Sequence, residues 1–264
     1  MDVVLLLKAA VMGVVEGLTE FLPISSSGHL VLGEEFLGLD VEGLKAFDVV
    51  VHLGSLMAIF VYFWRDIKGL FGGLWGFLNR RSGEYEKLIG WILIGTIPAV
   101  VIGFTMEEMI DSVFRSVNGV AVGMLMAAAF FVIADRFYRG DAKLTFKKAF
   151  LIGVAQAVAL IPGVSRSGST ISAGIMAGLS REEAARFSFL LGTPAIFGAG
   201  LLTALRLEDG EVAVSGMALA VGFIASFGFG LLSVSVLMKF LKKYSLKVFA
   251  VYLLILAGGV LILT

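Results

Sequence analysis

Six stretches of the sequence are apolar over roughly 20 consecutive residues, the length an α-helix needs to cross the hydrocarbon layer of a bilayer. They run approximately from Phe47 to Trp64, Leu88 to Phe104, Val117 to Ala134, Phe187 to Leu205, Val214 to Leu237 and Leu246 to Leu263. A water-soluble fold has no use for that much apolar surface, so the chain reads as an integral membrane protein with six transmembrane helices. Composition agrees: 16% of residues are charged, against about 25% in soluble domains, and the mean hydropathy is +0.97. The formal net charge is zero, which leaves no global field for a polyanion and argues against nucleic acid as a partner. There is no cysteine, so disulfides, thiolate metal sites and cysteine nucleophiles are excluded and the chemistry must come from oxygen and nitrogen groups. The N-terminus runs from Asp2 through an apolar stretch to Glu16 and Glu20 without the basic region of a secretory signal, and is expected to be mature structure. The 33 glycines point to close helix contacts, because a residue without Cβ lets backbones approach.

Two further apolar segments, approximately Val3 to Leu22 and Ala149 to Ile161, each end at a proline and run into a Ser/Gly-rich stretch followed by a second short apolar piece. They read as re-entrant helical hairpins. Fourteen of the 21 basic residues fall in Arg65 to Lys87, Asp135 to Lys148 and Lys239 to Lys247, whereas Glu34 to Lys45, Thr105 to Arg115 and Arg206 to Glu211 are mostly acidic. Basic loops belong in the cytoplasm, so the first hairpin enters from the outer face and the second from the inner face. Within the first basic segment, Leu70, Phe71, Leu74, Trp75, Phe77 and Leu78 suggest a helix lying on the inner surface. Displaced by 140 positions, Gly13, Ser25, Ser27 and Gly28 match Gly153, Ser165, Ser167 and Gly168, and Leu53-Gly54-Ser55 resembles Leu191-Gly192-Thr193. The expected architecture is therefore an all-α membrane domain over residues 1–264: six transmembrane helices plus two re-entrant hairpins in an inverted-topology repeat, with halves of approximately 1–140 and 141–264. In such folds the site lies near the midplane, where the broken segments of the two halves meet.

The first hairpin reads Glu16-Gly17-Leu18-Thr19-Glu20-Phe21-Leu22-Pro23-Ile24-Ser25-Ser26-Ser27-Gly28-His29. Glu16 and Glu20, four apart, share one helix face. Each ionisable group inside a membrane segment costs about 2.5 to 3.5 kcal/mol even on insertion scales, so the pair should share a proton, bind a divalent cation or face an arginine; a purely structural pair is the plainer reading. Ser25, Ser26 and Ser27 sit where one can cap a helix, and capping alone would account for an isolated serine. Three serines followed by Gly28 and His29 gather hydroxyls, N–H groups and an imidazole, and a helix N-terminus already attracts phosphate. His29 is the main candidate for a proton carrier near neutral pH; His52, in an otherwise apolar span, reads as packing or as support behind the site. The second hairpin reads Pro162-Gly163-Val164-Ser165-Arg166-Ser167-Gly168-Ser169-Thr170. Arg166 cannot shed its charge and needs an anion, either phosphate oxygens held bidentately or Glu16 or Glu20. Opposite Glu16 and Glu20 in the repeat stand Gln156 and Leu160, so the first half carries acid/base chemistry and the second mainly binding charge.

Together, the E-x-x-x-E of Glu16 and Glu20, the Pro23 to His29 segment and the Pro162 to Gly168 segment resemble the bacitracin-resistance family of undecaprenyl-pyrophosphate phosphatases, over essentially the whole chain. The resemblance implies an enzyme of the cytoplasmic membrane that removes the terminal phosphate of a polyprenyl pyrophosphate at the outer face. It thereby regenerates the carrier lipid for cell-wall polymers, with a divalent cation, Mg or Ca. The catalytic set is then Glu16, Glu20, Ser26, His29 and Arg166, with Glu16 and Glu20 as metal ligands; Ser25, Ser27, Gly28, Ser165, Ser167, Gly168 and Thr170 bind substrate. The partners are the pyrophosphate lipid and membrane lipids, and the choice between monomer and homodimer stays open. The phosphatidic-acid type of phosphatase also uses Ser-Gly-His and Ser-Arg but needs a histidine after the arginine, and none follows Arg166. A flippase for phosphorylated polyprenol is the alternative that an inverted repeat would suit.

Overall fold

The structure, a computed structural model, describes residues 3–37, 45–81, 83–114, 116–206 and 215–263. Among these residues there are eleven α-helices and no strand: α1 Val3–Phe21, α2 Ser26–Leu37, α3 Lys45–Tyr62, α4 Trp64–Leu78, α5 Glu84–Phe114, α6 Val117–Arg136, α7 Phe146–Val158, α8 Arg166–Met176, α9 Arg181–Arg206, α10 Gly216–Leu241 and α11 Lys247–Leu263. Four helical stretches are long and apolar enough to cross a bilayer: Glu84–Met106, Val117–Arg136, Arg181–Leu205 and Gly216–Leu241. The bent pair α3 and α4 makes a fifth if taken as one span, and α11 has 17 residues. The caps follow from sequence: Ser116, Thr145 and Ser215 each accept a hydrogen bond from the backbone N–H three residues on, at the starts of α6, α7 and α10. Pro98 lies inside α5 and Pro194 inside α9, which membrane helices tolerate where neighbours satisfy the freed backbone groups.

One detail differs from the sequence reading. The apolar run expected to end at Trp64 stops at Tyr62, and the chain turns by 84° at the buried Phe63 into α4. α4 buries Ile67, Gly73 and Gly76 and exposes Phe71, Trp75 and Leu78. It lies against α5, where a Cβ on Gly69 would run into the Tyr85 ring and one on Gly76 into the Glu86 carboxylate. The two proline-broken segments are both helix pairs. α1 ends at Phe21 and α2 begins at Ser26; α7 ends at Val158 and α8 begins at Arg166.

Small residues set the helix spacing. α1 packs along α10, α10 along α3, α7 along α5 and α6 along α11. A Cβ on Gly13 would strike the backbone oxygen of Gly222, and one on Gly153 the backbone oxygen of Gly95, so α1/α10 and α7/α5 make backbone contact at matching points. Phe189 joins the halves, with ring centroids 5.6 Å from Phe21 and 6.0 Å from Phe63. At the end carrying the basic loops, Asp135 binds Arg181 at 2.7 Å and Lys247 at 3.1 Å, Arg186 pairs with Asp66, and Arg181 lies 3.9 Å over the Tyr138 ring.

Because the backbones already touch at Gly13, Gly13→Val forces them apart and is expected to cost about 1–3 kcal/mol, the usual penalty of overpacking. Gly198→Ala places its methyl where nothing lies within 4 Å and should be neutral or slightly stabilising. Thermal unfolding of the monodisperse protein in detergent checks the pair; equal midpoints for both variants would remove close approach as the reason for the glycine.

Candidate active site

The two hairpin tips meet, and Glu20 is the point of contact. Both breaks are shaped by hydroxyl caps: Ser25 Oγ accepts from Gly28 N–H at 3.3 Å, and Ser165 Oγ accepts from Gly168 N–H at 3.1 Å. Capping thus occupies the first serine of each motif and leaves the next residue, Ser26 in one and Arg166 in the other, on the first helical turn. These two positions stand 140 apart in sequence, and both reach the same carboxylate. Ser26 Oγ donates to Glu20 Oε2 at 2.5 Å, and Arg166 Nη2 donates to Glu20 Oε1. Arg166 Nη1 also reaches the Ser188 carbonyl at 3.5 Å, and the guanidinium lies against Gly192, where any Cβ would overlap it. Ser167 Oγ donates to the Leu22 carbonyl at 3.3 Å and ties the second tip to the turn of the first.

Glu16 sits one turn before Glu20 on the same buried face of α1. Its Oε1 accepts from Ser55 Oγ at 3.1 Å and lies 3.5 Å from His52 Nε2. Its Oε2 is buried with no hydrogen-bond partner among the described residues. His52 Nδ1 is 2.8 Å from the Asp48 carbonyl; a carbonyl only accepts, so the proton is on Nδ1 and Nε2 faces the carboxylates. Donor atoms of Glu16, Glu20 and His52 all lie within 4.8 Å of one another. Two carboxylates and an imidazole around a buried, orphaned oxygen suit a cation.

The sequence-derived residues fall into distinct places. Glu16, Glu20, Ser26 and Arg166 converge. His29 lies one turn along α2 from Ser26, with its ring bonded to the Ser25 carbonyl and to Tyr252. Ser27 is exposed, its Oγ 3.4 Å from that of Ser25. Gly28 packs against Met124 and Val120, and Gly168 against Phe131 and Pro23. Thr170 is fully buried, bonded to Ser188 Oγ at 2.5 Å and to the Arg166 carbonyl at 2.8 Å, so its hydroxyl supports the arginine turn. His52 stands beside Glu16, and the sequence motifs do not mark Ser55, which donates to Glu16, or Ser188, which bonds Thr170. A histidine and a serine three apart on one face of an apolar helix are the sequence signal that pairs Ser55 with His52. A separate cavity of about 640 Å³ lies at the starts of α5 and α9, lined by Lys87, Trp91, Lys143, Arg186 and Phe187 among others.

Arg166 and Glu20 are both largely buried, so removing one leaves the other charge uncompensated. Glu20→Gln is expected to lower stability by about 3–5 kcal/mol, the penalty of breaking a buried pair from one side. Glu20→Gln combined with Arg166→Gln should recover most of it. Monodisperse yield and denaturation of the three proteins measure this, and a double variant no better than Glu20→Gln would show that the pair does not carry the junction.

The family model of the bacitracin resistance protein BacA matches residues 9–259. The chain is 44% identical to a protein from Rubrobacter xylanophilus named undecaprenyl-diphosphatase, over 96% of each chain. A protein of the same name from Methanosphaera stadtmanae is 41% identical over 98% of each chain. A third, from Idiomarina loihiensis, is 39% identical over 95% of this chain and 96% of its own. A match of this extent, with the converging carboxylates and arginine, places the chain in the bacitracin resistance protein BacA family.

Proposed function

We propose that this protein hydrolyses undecaprenyl pyrophosphate to undecaprenyl phosphate and orthophosphate, at a site built between its two hairpin tips. The observation that carries this reading is the pair of matching hairpin residues, Ser26 and Arg166, held on the two oxygens of one buried carboxylate. The arrangement stores an anion-binding arginine and a hydroxyl in register at two helix N-termini, which together form an anion site. The substrate pyrophosphate displaces the resting contact, so that Arg166 and the N–H groups of the two tips take its oxygens while the prenyl chain stays in lipid. Glu20, released from the guanidinium and already bonded to Ser26, takes the proton of the attacking hydroxyl, which is that of Ser26 or of a water in its place. The new bond forms to the terminal phosphorus and the bond to the bridging oxygen breaks, releasing undecaprenyl phosphate; where Ser26 is the attacking group, a water then cleaves the phosphoserine to free orthophosphate, and His29 serves the proton transfers of the cycle.

Glu16, with Glu20 and His52 beside it, would hold a divalent cation: two carboxylates are the hard donors that Mg or Ca takes, and Glu16 Oε2 is the buried acceptor still without a partner. When bound, such a cation supplies charge neutralisation at phosphate oxygens. His52 orients the Glu16 carboxylate or joins it as a nitrogen ligand.

The same reading includes the finer architecture of six spans, α3, α5, α6, α9, α10 and α11, and two re-entrant hairpins, α1/α2 and α7/α8. Support for the inverted repeat comes from packing. α1 on α10 mirrors α7 on α5, Gly13 on Gly222 mirrors Gly153 on Gly95, and the caps Ser25 and Ser165 stand 140 positions apart. The basic loops support a cytoplasmic end at α4 and at the Asp135 network, and with it a site reached from the outer face of the cell membrane.

Purified protein in detergent is expected to release orthophosphate from a long-chain prenyl pyrophosphate, whereas a flippase alone has no activity without two compartments. Arg166→Lys keeps the charge but loses the planar fork and should forfeit most of the rate while remaining folded; a near-normal rate would end the phosphate-clamp reading. For the cation, Mn²⁺ binding followed by paramagnetic resonance, without substrate, should weaken about 10–100-fold in Glu16→Gln and in His52→Ala. Unchanged Mn²⁺ binding in both would remove the cation from this site.

A further inference from the structure

The His29 ring is held at both nitrogens. Nδ1 lies 2.8 Å from the Ser25 carbonyl oxygen, which can only accept, so Nδ1 carries the proton. Nε2 then presents its lone pair, and the atom 2.7 Å away is the phenol oxygen of Tyr252, on α11. The phenol therefore donates. The two rings lie nearly parallel, 10° between planes with centroids 5.7 Å apart, so a residue 223 positions away in sequence fixes both the tautomer and the plane of the imidazole.

The constraint continues into the turn. Ser25 has φ 71, the left-handed region that a side chain with Cβ enters only when surroundings hold it there. Its carbonyl receives two bonds from His29, the Nδ1–H and the backbone N–H at 3.1 Å. That backbone conformation sets Ser25 as the cap and sends Ser26 onto Glu20. The chain of contacts runs from the Tyr252 hydroxyl through His29 and the Ser25 carbonyl to the Ser26 hydroxyl.

We propose that Tyr252 is a positioning residue for the reaction: its hydroxyl locks His29 with Nδ1 protonated and Nε2 basic, and through that ring holds the Ser25 turn that presents Ser26. The proposal rests on the phosphatase reading above. Tyr252→Phe keeps the ring and removes only the hydroxyl. Expected is a loss of roughly tenfold or more in kcat, with KM changed less than twofold, and a Tyr252→Phe/His29→Ala double variant no slower than His29→Ala, because the phenol acts through the imidazole. With only two histidines in the chain, ¹⁵N-histidine spectra of the full-length protein in detergent resolve both rings. In Tyr252→Phe one Nε2 signal should move as its hydrogen bond is lost, and it should be a signal absent from His29→Ala. A wild-type kcat in Tyr252→Phe would overturn the proposal, as would a penalty of the same size in the His29→Ala background or an unmoved His29 signal. The phosphatase reading fails separately, by absence of orthophosphate release from the wild-type protein. In that case the Nε2 shift still reads the hydrogen bond, and the catalytic part of the proposal falls with the activity.

Discussion

A guanidinium inside a membrane protein must find an anion, and here the anion lies on the other half of the chain. Arg166 opens α8 and Glu20 closes α1, so neither hairpin is electrostatically complete alone. Their pairing brings the two tips together, and the remaining hydroxyls, Ser26 on the free carboxylate oxygen and Ser167 on the Leu22 carbonyl, fix the register. A junction of this kind is a poor source of stability compared with an apolar contact, since desolvating both charges offsets most of their attraction. Its use lies in keeping an arginine, a carboxylate and a hydroxyl oriented and dry. In the proposed reaction a phosphate anion entering between the tips competes with Glu20 for the guanidinium, and the released carboxylate is then neutralised by the proton it takes from the attacking hydroxyl or by a neighbouring cation.

Around that junction the protein is built from contacts that only small side chains permit. Lipid supplies no hydrophobic drive between helices, so close packing takes its place. α1 rests on α10 through Gly13 and Gly17, and α3 rests on the same helix through Gly54. Glu16 and Glu20, three and seven residues on from Gly13, share the buried face of α1 with these contacts and point toward Ser55, His52 and the hairpin tips. Glu16 lies between a hydroxyl and an imidazole with one oxygen unspent, while Gln156, 140 positions on, is equally buried and has both amide atoms without a hydrogen-bond partner among the described residues.

Much of this was legible in the residues. Intramembrane charge is expensive, and that cost alone singled out Glu16, Glu20 and Arg166; the prolines and serines located the helix breaks and the caps. What the sequence left open was which partner each group takes. Arg166 had two carboxylates within its reasoning, and the choice of Glu20 depends on how α8 meets α1, a tertiary fact. Thr170 read as a substrate ligand because it closes a polar motif, yet it points back at Ser188 on α9. His52 read either as packing or as support behind the site because its neighbours are apolar, and α3 carries it to the carboxylates. Tyr252 carried no local signal, since its meaning comes from a ring in the other half of the chain. The 84° turn into α4 falls at Phe63, just ahead of Arg65, Asp66 and Lys68, and α4 contains the Leu70 to Leu78 segment that the sequence reads as a separate helix.

The most direct test is an experimental structure of the protein with a non-hydrolysable prenyl pyrophosphate bound. The expected result places the terminal phosphate between the two hairpin tips, with the Arg166 guanidinium turned from Glu20 onto phosphate oxygens and Ser26 within hydrogen-bond reach of the same group. A pyrophosphate seated instead in the cavity beside Lys87, Lys143 and Arg186, with Arg166 and Glu20 still paired, would contradict the account.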